Sequence, residues 1–207
     1  MAATEQSPRP YATLLAKGDD RKVRILEVAE RLLARNGWRN TSLAQIARDA
    51  GVSPAGLLHH YESKEALLNA VLDARDDDDD QHADRTGDLV TEICKVAERF
   101  DRAPELVGTF TVLLIENIHP DAPLHDRLVR RQQAAVDIVA ELIGRAQRAG
   151  VYRPDFDPAI KSVEILAFVN GMETAWLLDP SIPLVDVFKG YAETLARDFE
   201  PVDRSRT

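Results

Sequence analysis

The chain of 207 residues has a single cysteine, Cys94. One thiol rules out an intrachain disulfide framework and suits a reducing compartment, so a cytoplasmic location is expected. No run of about 18 apolar residues occurs, which leaves nothing to span a membrane as a helix. The first 20 residues lack the apolar core of a secretory signal. Also missing are a G-x-S-x-G elbow, a glycine loop to cradle phosphate and Cys/His spacing suited to zinc, so neither a metal nor another cofactor is expected. A basic excess is lacking too: the net charge is −9, which at first argues against a nucleic-acid partner. What is present is an ordinary globular balance, 44% hydrophobic and 29% charged, which is wrong for a disordered chain.

The charge is unevenly spread. Residues 1–75 carry 11 Lys and Arg against 9 Asp and Glu, and the remainder carries 15 against 26. At physiological salt only charge within roughly 8–10 Å of the phosphates contributes much, so an acidic remote region does not forbid DNA. A near-neutral first part leaves affinity to a few placed contacts and to a second subunit.

Residues 41–64, TSLAQIARDAGVSPAGLLHHYESK, organise the rest. Ser42 is a good N-cap, and Gln45 stands at the capping-box spacing. Leu43, Ile46, Ala47 and Ala50 then recur on one helical face until Gly51, where a left-handed residue ends a helix most easily. Ser53 is a second N-cap, and Pro54 occupies the first helical position, where its missing N–H costs nothing. Two short helices about a glycine turn are the plan of a helix-turn-helix, whose second helix can enter the major groove of DNA.

Around this stretch, residues 1–18 read as a flexible arm and 201–207 as a flexible tail. A helix from Asp19 or Asp20 to Asn36 buries Val23, Leu26, Ala29, Leu32 and Leu33, Gly37 ends it, and Trp38 packs beneath the helix-turn-helix. Ser63 caps a further helix with Leu67, Leu68, Val71 and Leu72 inside. The run Arg75–Asp80 reads as a self-repelling, solvated segment where that helix frays or the domain ends. It lacks the alternating ligands, glycine and distal glutamate of a calcium loop.

From residue 87 on every segment has the helical period and none alternates like a strand. Pro104 opens a helix apolar nearly all round; residues 122–149 form a long amphipathic one with Leu128, Ala135, Ile138, Val139, Leu142 and Ala146 inward. Residues 158–178 are apolar on two sides, with Ile165, Val169, Met172 and Trp176 on one and Val163, Leu166 and Ala167 on the other. The last helix, about 183–199, carries Leu184, Phe188, Tyr191 and Leu195 in one stripe. A helix with two apolar faces needs two partners. A second copy of the chain, joined through a four-helix bundle, supplies one; complete burial within a single chain is the alternative. The expected fold is all-α with about nine helices. A helix-turn-helix domain occupies 19–75, and a helical ligand-binding and dimerisation domain 76–200.

The pattern resembles the tetracycline-repressor (TetR) family of bacterial transcription regulators. The matching residues are Ile25, Leu26, Ala29, Leu32, Leu33, Gly37-Trp38, Thr41-Ser42, Ile46-Ala47, Ala50-Gly51-Val52-Ser53, Leu57, His60-Tyr61 and Ser63-Lys64-Glu65 with Leu68. The resemblance implies a homodimer joined through its eighth and ninth helices, here Val163, Leu166, Ala167, Phe188, Tyr191 and Leu195. It implies double-stranded operator DNA as partner, a small-molecule effector whose identity is not legible, and release of a repressor by that effector. Carried over by position, the DNA-facing residues are Ser42, Pro54, Ala55, Leu58, His59, His60, Tyr61 and Lys64. Many members have Gly-Thr-Leu-Tyr where this chain has Ala55-Gly56-Leu57-Leu58, so a tyrosine contact is missing and Leu58 can touch a thymine methyl instead. Lys64, at a helix start, is expected to meet a phosphate.

The one tempting chemical motif is Glu116-Asn117-Ile118-His119. A di-iron bundle site needs two such E-x-x-H motifs and two further glutamates, and only one motif is present. Glu116, Asn117 and His119 are instead either polar groups at the edge of an effector pocket or exposed residues at a helix end. Asn170, Glu173 and Trp176 are similar pocket candidates, with packing as the alternative. Two rival readings stay open: a DNA-binding regulator without a small-molecule effector, and a helical enzyme in which the DNA-like motif is incidental.

Overall fold

The computed structural model describes residues 20–82 and 88–201. The arm expected over 1–18 and the tail after 201 lie outside these. Among the described residues there are nine helices and no strand. They are α1 (Asp20–Asn36), α2 (Leu43–Asp49), α3 (Pro54–His60), α4 (Lys64–His82), α5 (Leu89–Arg102), α6 (Pro104–Glu116), α7 (His125–Arg148), α8 (Pro158–Leu178) and α9 (Leu184–Phe199). The all-α expectation holds. The chain forms two compact units, one from Met1–His82 with Glu105–His125 and one from Ala83–Pro104 with Asp126–Thr207.

In the first unit α1 buries Ile25, Leu26, Val28, Ala29, Leu32 and Leu33; α2 adds Ile46 and Ala47, α3 adds Leu57, and α4 adds Leu67, Leu68, Val71 and Leu72. The apolar helix α6 belongs here, with Leu106, Val107, Phe110 and Leu113 buried. Its Thr109 hydroxyl donates to the Glu30 carbonyl of α1 at 2.9 Å. Arg75 of α4 is also buried, with its guanidinium 4.4 Å from the centre of the Phe110 ring and facing the Leu106 carbonyl and the Asp79 carboxylate.

That packing corrects one expectation. The acidic run neither frays nor ends a domain: α4 runs through it to His82, across the boundary expected at 75/76. Arg75 is held by α6, and Asp78 is fully buried, with His82 Nδ1 2.8 Å from its carbonyl oxygen. These contacts outweigh like-charge repulsion that most of the run can shed to solvent. Asp77 shows the remaining cost: partial burial first, then the charges of Asp73, Asp76 and Asp80, raise its carboxyl above the usual range.

In the second unit Phe100 of α5 meets Trp176 of α8 and Phe188 of α9 edge to face, at 5.3 and 5.9 Å. Asp88 caps α5 by accepting from Thr91 N–H at 3.0 Å and also accepts from the Tyr152 hydroxyl at 2.9 Å. Asp157 caps α8 by accepting from Ala159 N–H at 2.8 Å, with Pro158 in the first turn. On α7 the buried residues are Leu128, Val136 and Ile143. Ile138, expected inward, is exposed, because the buried line runs along its neighbours on the helix.

Candidate DNA-binding surface

Local chemistry builds the helix-turn-helix. Ser42, in an extended conformation, accepts from Gln45 N–H at 3.1 Å and starts α2. Gly51, at φ 69°, reverses the chain while Val52 N–H returns to the Ala47 carbonyl at 2.9 Å. Ser53 accepts from Gly56 N–H at 3.0 Å and starts α3, with Pro54 in its first turn. Seven residues are too few to hold a helix by themselves. Leu57, wholly buried, ties α3 to the unit beneath it.

That anchor decides what α3 presents. Pro54, Ala55, Leu58 and His59 are all exposed, Leu58 by 45%, while His60 is half-buried with its ring edge-on to His59 at 5.6 Å. Ser42 is exposed, and because its oxygen accepts from Gln45 its own hydroxyl proton is left to donate outward.

Two residues carried over as DNA contacts are placed elsewhere. Tyr61 is 4% exposed, and its hydroxyl, pushed up by burial, has no hydrogen-bond partner among the described residues and does not reach the surface. It belongs to the core under α3. The Lys64 ammonium turns back to donate to the Trp38 carbonyl and lies 4.1 Å from the centre of the Trp38 ring. Burial holds its pKa below the usual lysine value, partly offset by Glu65 and Glu116.

Glu116 completes this node. Its Oε2 accepts from Trp38 N–H at 2.6 Å. Gly37, at φ 74°, lies so close that a β-carbon there would come within 2.7 Å of Glu116 Oε1. Glu116 therefore faces the base of the helix-turn-helix and not an effector pocket. Asn117 is equally committed: its amide donates to the Leu113 carbonyl at 2.7 Å, and its Oδ1 accepts from Leu124 N–H at 3.2 Å. His119 is exposed beside Asp121, so the three residues do not converge. No local pattern announces the node, since Trp38 and Glu116 are 78 residues apart.

In the second unit Glu173 is buried, with Oε1 3.5 Å from Arg99 Nη1, and Trp176 one turn on packs against Phe100. Asn170 is half-buried, and its carbonyl accepts from the Thr174 hydroxyl at 3.0 Å. Of the six residues expected at the dimer interface, Val163 and Ala167 are exposed and Leu166 and Tyr191 half-buried. Phe188 and Leu195, at 0% and 2%, are interior residues and cannot also face a partner. The stripe they share points at their own core.

A capped pair of short helices, the second presenting an open face, in a chain that is otherwise a helical bundle, is the construction of a helix-turn-helix DNA-binding regulator. The sequence profile of the bacterial regulatory proteins of the tetR family matches residues 25–71. The chain is 27% identical over 191 residues to the HTH-type transcriptional regulator TtgR of Pseudomonas putida, covering 86% of this chain and 90% of that one. The fold is similar to that of NalD, the secondary repressor of the MexAB-OprM multidrug efflux pump in Pseudomonas aeruginosa. There the TM-score is 0.70 at 21% identity over 87% of this chain and 96% of that one. It is also similar to that of AibR in complex with isovaleryl coenzyme A and operator DNA, at a TM-score of 0.68 and 23% identity, covering 84% and 97%. Residues 25–71 thus carry a DNA-binding domain of the TetR family. The chain's relatives are transcriptional regulators, not enzymes.

Proposed function

We propose that the chain is a homodimeric repressor that a small molecule releases from its operator. The observation that carries the reading is the exposed face of α3, Pro54, Ala55, Leu58 and His59, held clear by the single anchor Leu57 and flanked by the outward hydroxyl of Ser42. Two such helices, one per protomer, would enter successive major grooves about 34–36 Å apart or a multiple of that. Dimerisation is supported by α8, where Ile160, Val163 and Leu178 are 63%, 52% and 88% exposed and Ala167 and Gly171 are exposed between them. So long an apolar line is a cost in water unless something covers it. The function places the protein in the cytoplasm with the DNA, and no described helix is long and apolar enough to cross a membrane.

Effector binding is supported by the AibR complex, which holds both a ligand and DNA. Asn170, Glu173 and Trp176 are the candidate polar and aromatic contacts in the helical unit, with Arg99 beside Glu173. Repression is supported by NalD, a repressor of the same fold. The signal would reach the helix-turn-helix through α6, because a shift of its last residue, Glu116, must either move Trp38 or abandon its N–H. A coupling of about 1–3 kcal/mol corresponds to about 5–150-fold in DNA affinity.

Selection of duplexes from a random pool by the full chain tests the reading. A two-fold symmetric site with half-site centres about 10 base pairs apart, or a multiple, is expected. No enrichment, or a 23.0 kDa monomer in sedimentation at micromolar protein, overturns it.

A further inference from the structure

The open face of α3 has a peculiar chemistry for a helix that reads bases. Of Pro54, Ala55, Leu58 and His59, only His59 has a side chain that can hydrogen-bond. No Arg, Lys, Asn or Gln lies anywhere in Pro54–His60, so the paired hydrogen bonds that commonly identify guanine or adenine are unavailable from this helix. The Ser53 oxygen accepts from Gly56 N–H, which leaves that N-cap a single O–H donor and no side-chain pair of hydrogen bonds with which to identify a purine. The largest group on the face is an aliphatic side chain, Leu58, 45% exposed, and Ala55, one turn before it, extends the apolar area. An aliphatic group is left in water beside a helix end whose other large residue, Leu57, is wholly buried. The base edges of the major groove offer one strongly apolar feature to meet it, the C5-methyl group of thymine.

Resting on the DNA-binding reading above, we propose that each operator half-site is identified through a thymine methyl group packed between Leu58 and Ala55. Of the four exposed side chains of α3, only His59 can add a hydrogen bond beside that contact. Such readout distinguishes T·A from the other three pairs by shape and hydration, so it is lost when the methyl alone is removed.

The test uses the duplex enriched from a random pool by the full chain, resynthesised with deoxyuridine replacing each thymine in turn. One position per half-site should weaken binding about fourfold, and both together about 15-fold, the effect of leaving one methyl-sized group per half-site uncovered. Leu58→Ala should bind the thymine duplex about as weakly as wild type binds the doubly substituted one, and should no longer distinguish the two. Its melting temperature should fall far less than that of Leu57→Ala, because Leu58 is 45% exposed and Leu57 wholly buried. Three results overturn the proposal: enriched half-sites without thymine, wild-type affinity unchanged by every deoxyuridine, or a Leu58→Ala protein that keeps the full penalty. Failure of the pool to enrich at all sinks the DNA-binding reading instead.

Discussion

Helices α3 and α8 both leave apolar side chains uncovered, yet they are held in opposite ways. Seven residues, one serine cap and one buried leucine hold α3. The 21 residues of α8 have buried Ser162, Ile165, Val169 and Glu173 on one side and an open apolar line on the other. A short helix borrows its existence from what lies under it, whereas a long one can lose a surface contact and stay folded. Exposure on α3 is thus a property of the whole first unit, while exposure on α8 is a property of that helix alone.

This contrast can be broken by substitution. Leu57→Ala should have the largest effect, about 3 to 4 kcal/mol lost from the first unit and no measurable DNA binding, read by denaturant titration and gel shift. An equal loss from Leu58→Ala would end the distinction between anchor and reader. On α8, Val163→Glu should leave circular dichroism and melting of the protomer nearly unchanged while weakening the proposed dimer on the order of 3 kcal/mol, the cost of a charge carried into an apolar interface from each protomer. Sedimentation would then show a 23.0 kDa species; an undiminished dimer would move the interface elsewhere.

Two glycines sharpen the same point within the first unit. Gly51, at φ 69°, faces open space, so Gly51→Ala should cost about 1 kcal/mol of left-handed backbone strain. Gly37→Ala adds the displacement of Glu116 from Trp38 N–H, for about 2 kcal/mol in all. Equal losses would show that Glu116 yields freely. The smallest effect belongs to Asp77→Asn, a gain of about 0.5 kcal/mol at neutral pH, because a neutral amide escapes first the desolvation and then the like-charge repulsion that the carboxylate meets on a largely exposed face. Because the folded state raises the Asp77 carboxyl, that carboxyl destabilises the folded chain at neutral pH, and the penalty is relieved as pH falls through the folded pKa. The advantage of the variant should therefore shrink on acidification. Growth of that advantage would contradict the assignment.

The legible parts of the fold were those written within a few residues. Ser42, Gly51, Ser53 and Pro54 mark the ends of α2 and α3 because caps and left-handed glycines act locally. The apolar run likewise located the start of α8 at Pro158. It failed where a distant partner decides. Nothing near Asp76–Asp80 indicates that Arg75 will be clasped by Leu106 and Phe110, which keeps the acidic run helical. Nothing near Lys64 indicates that its ammonium will settle on Trp38 rather than face outward. Periodicity found the stripe Phe188–Leu195 but not the side on which it would be covered, because both a core and a partner reward the same spacing. The exposed residues of α3 were named through the family resemblance, which also carried over Tyr61 and Lys64, and exposure alone separates the two groups.

The location of α6 also limits how the protein can be cut. A fragment ending at His82 would carry the entire helix-turn-helix, yet it would strip the Glu30 carbonyl of the Thr109 hydroxyl, Trp38 N–H of its carboxylate and the Arg75 guanidinium of its aromatic cover. Anyone grafting this reading head onto another regulator must therefore bring residues 105–125 along, as a separate piece of chain from much further downstream.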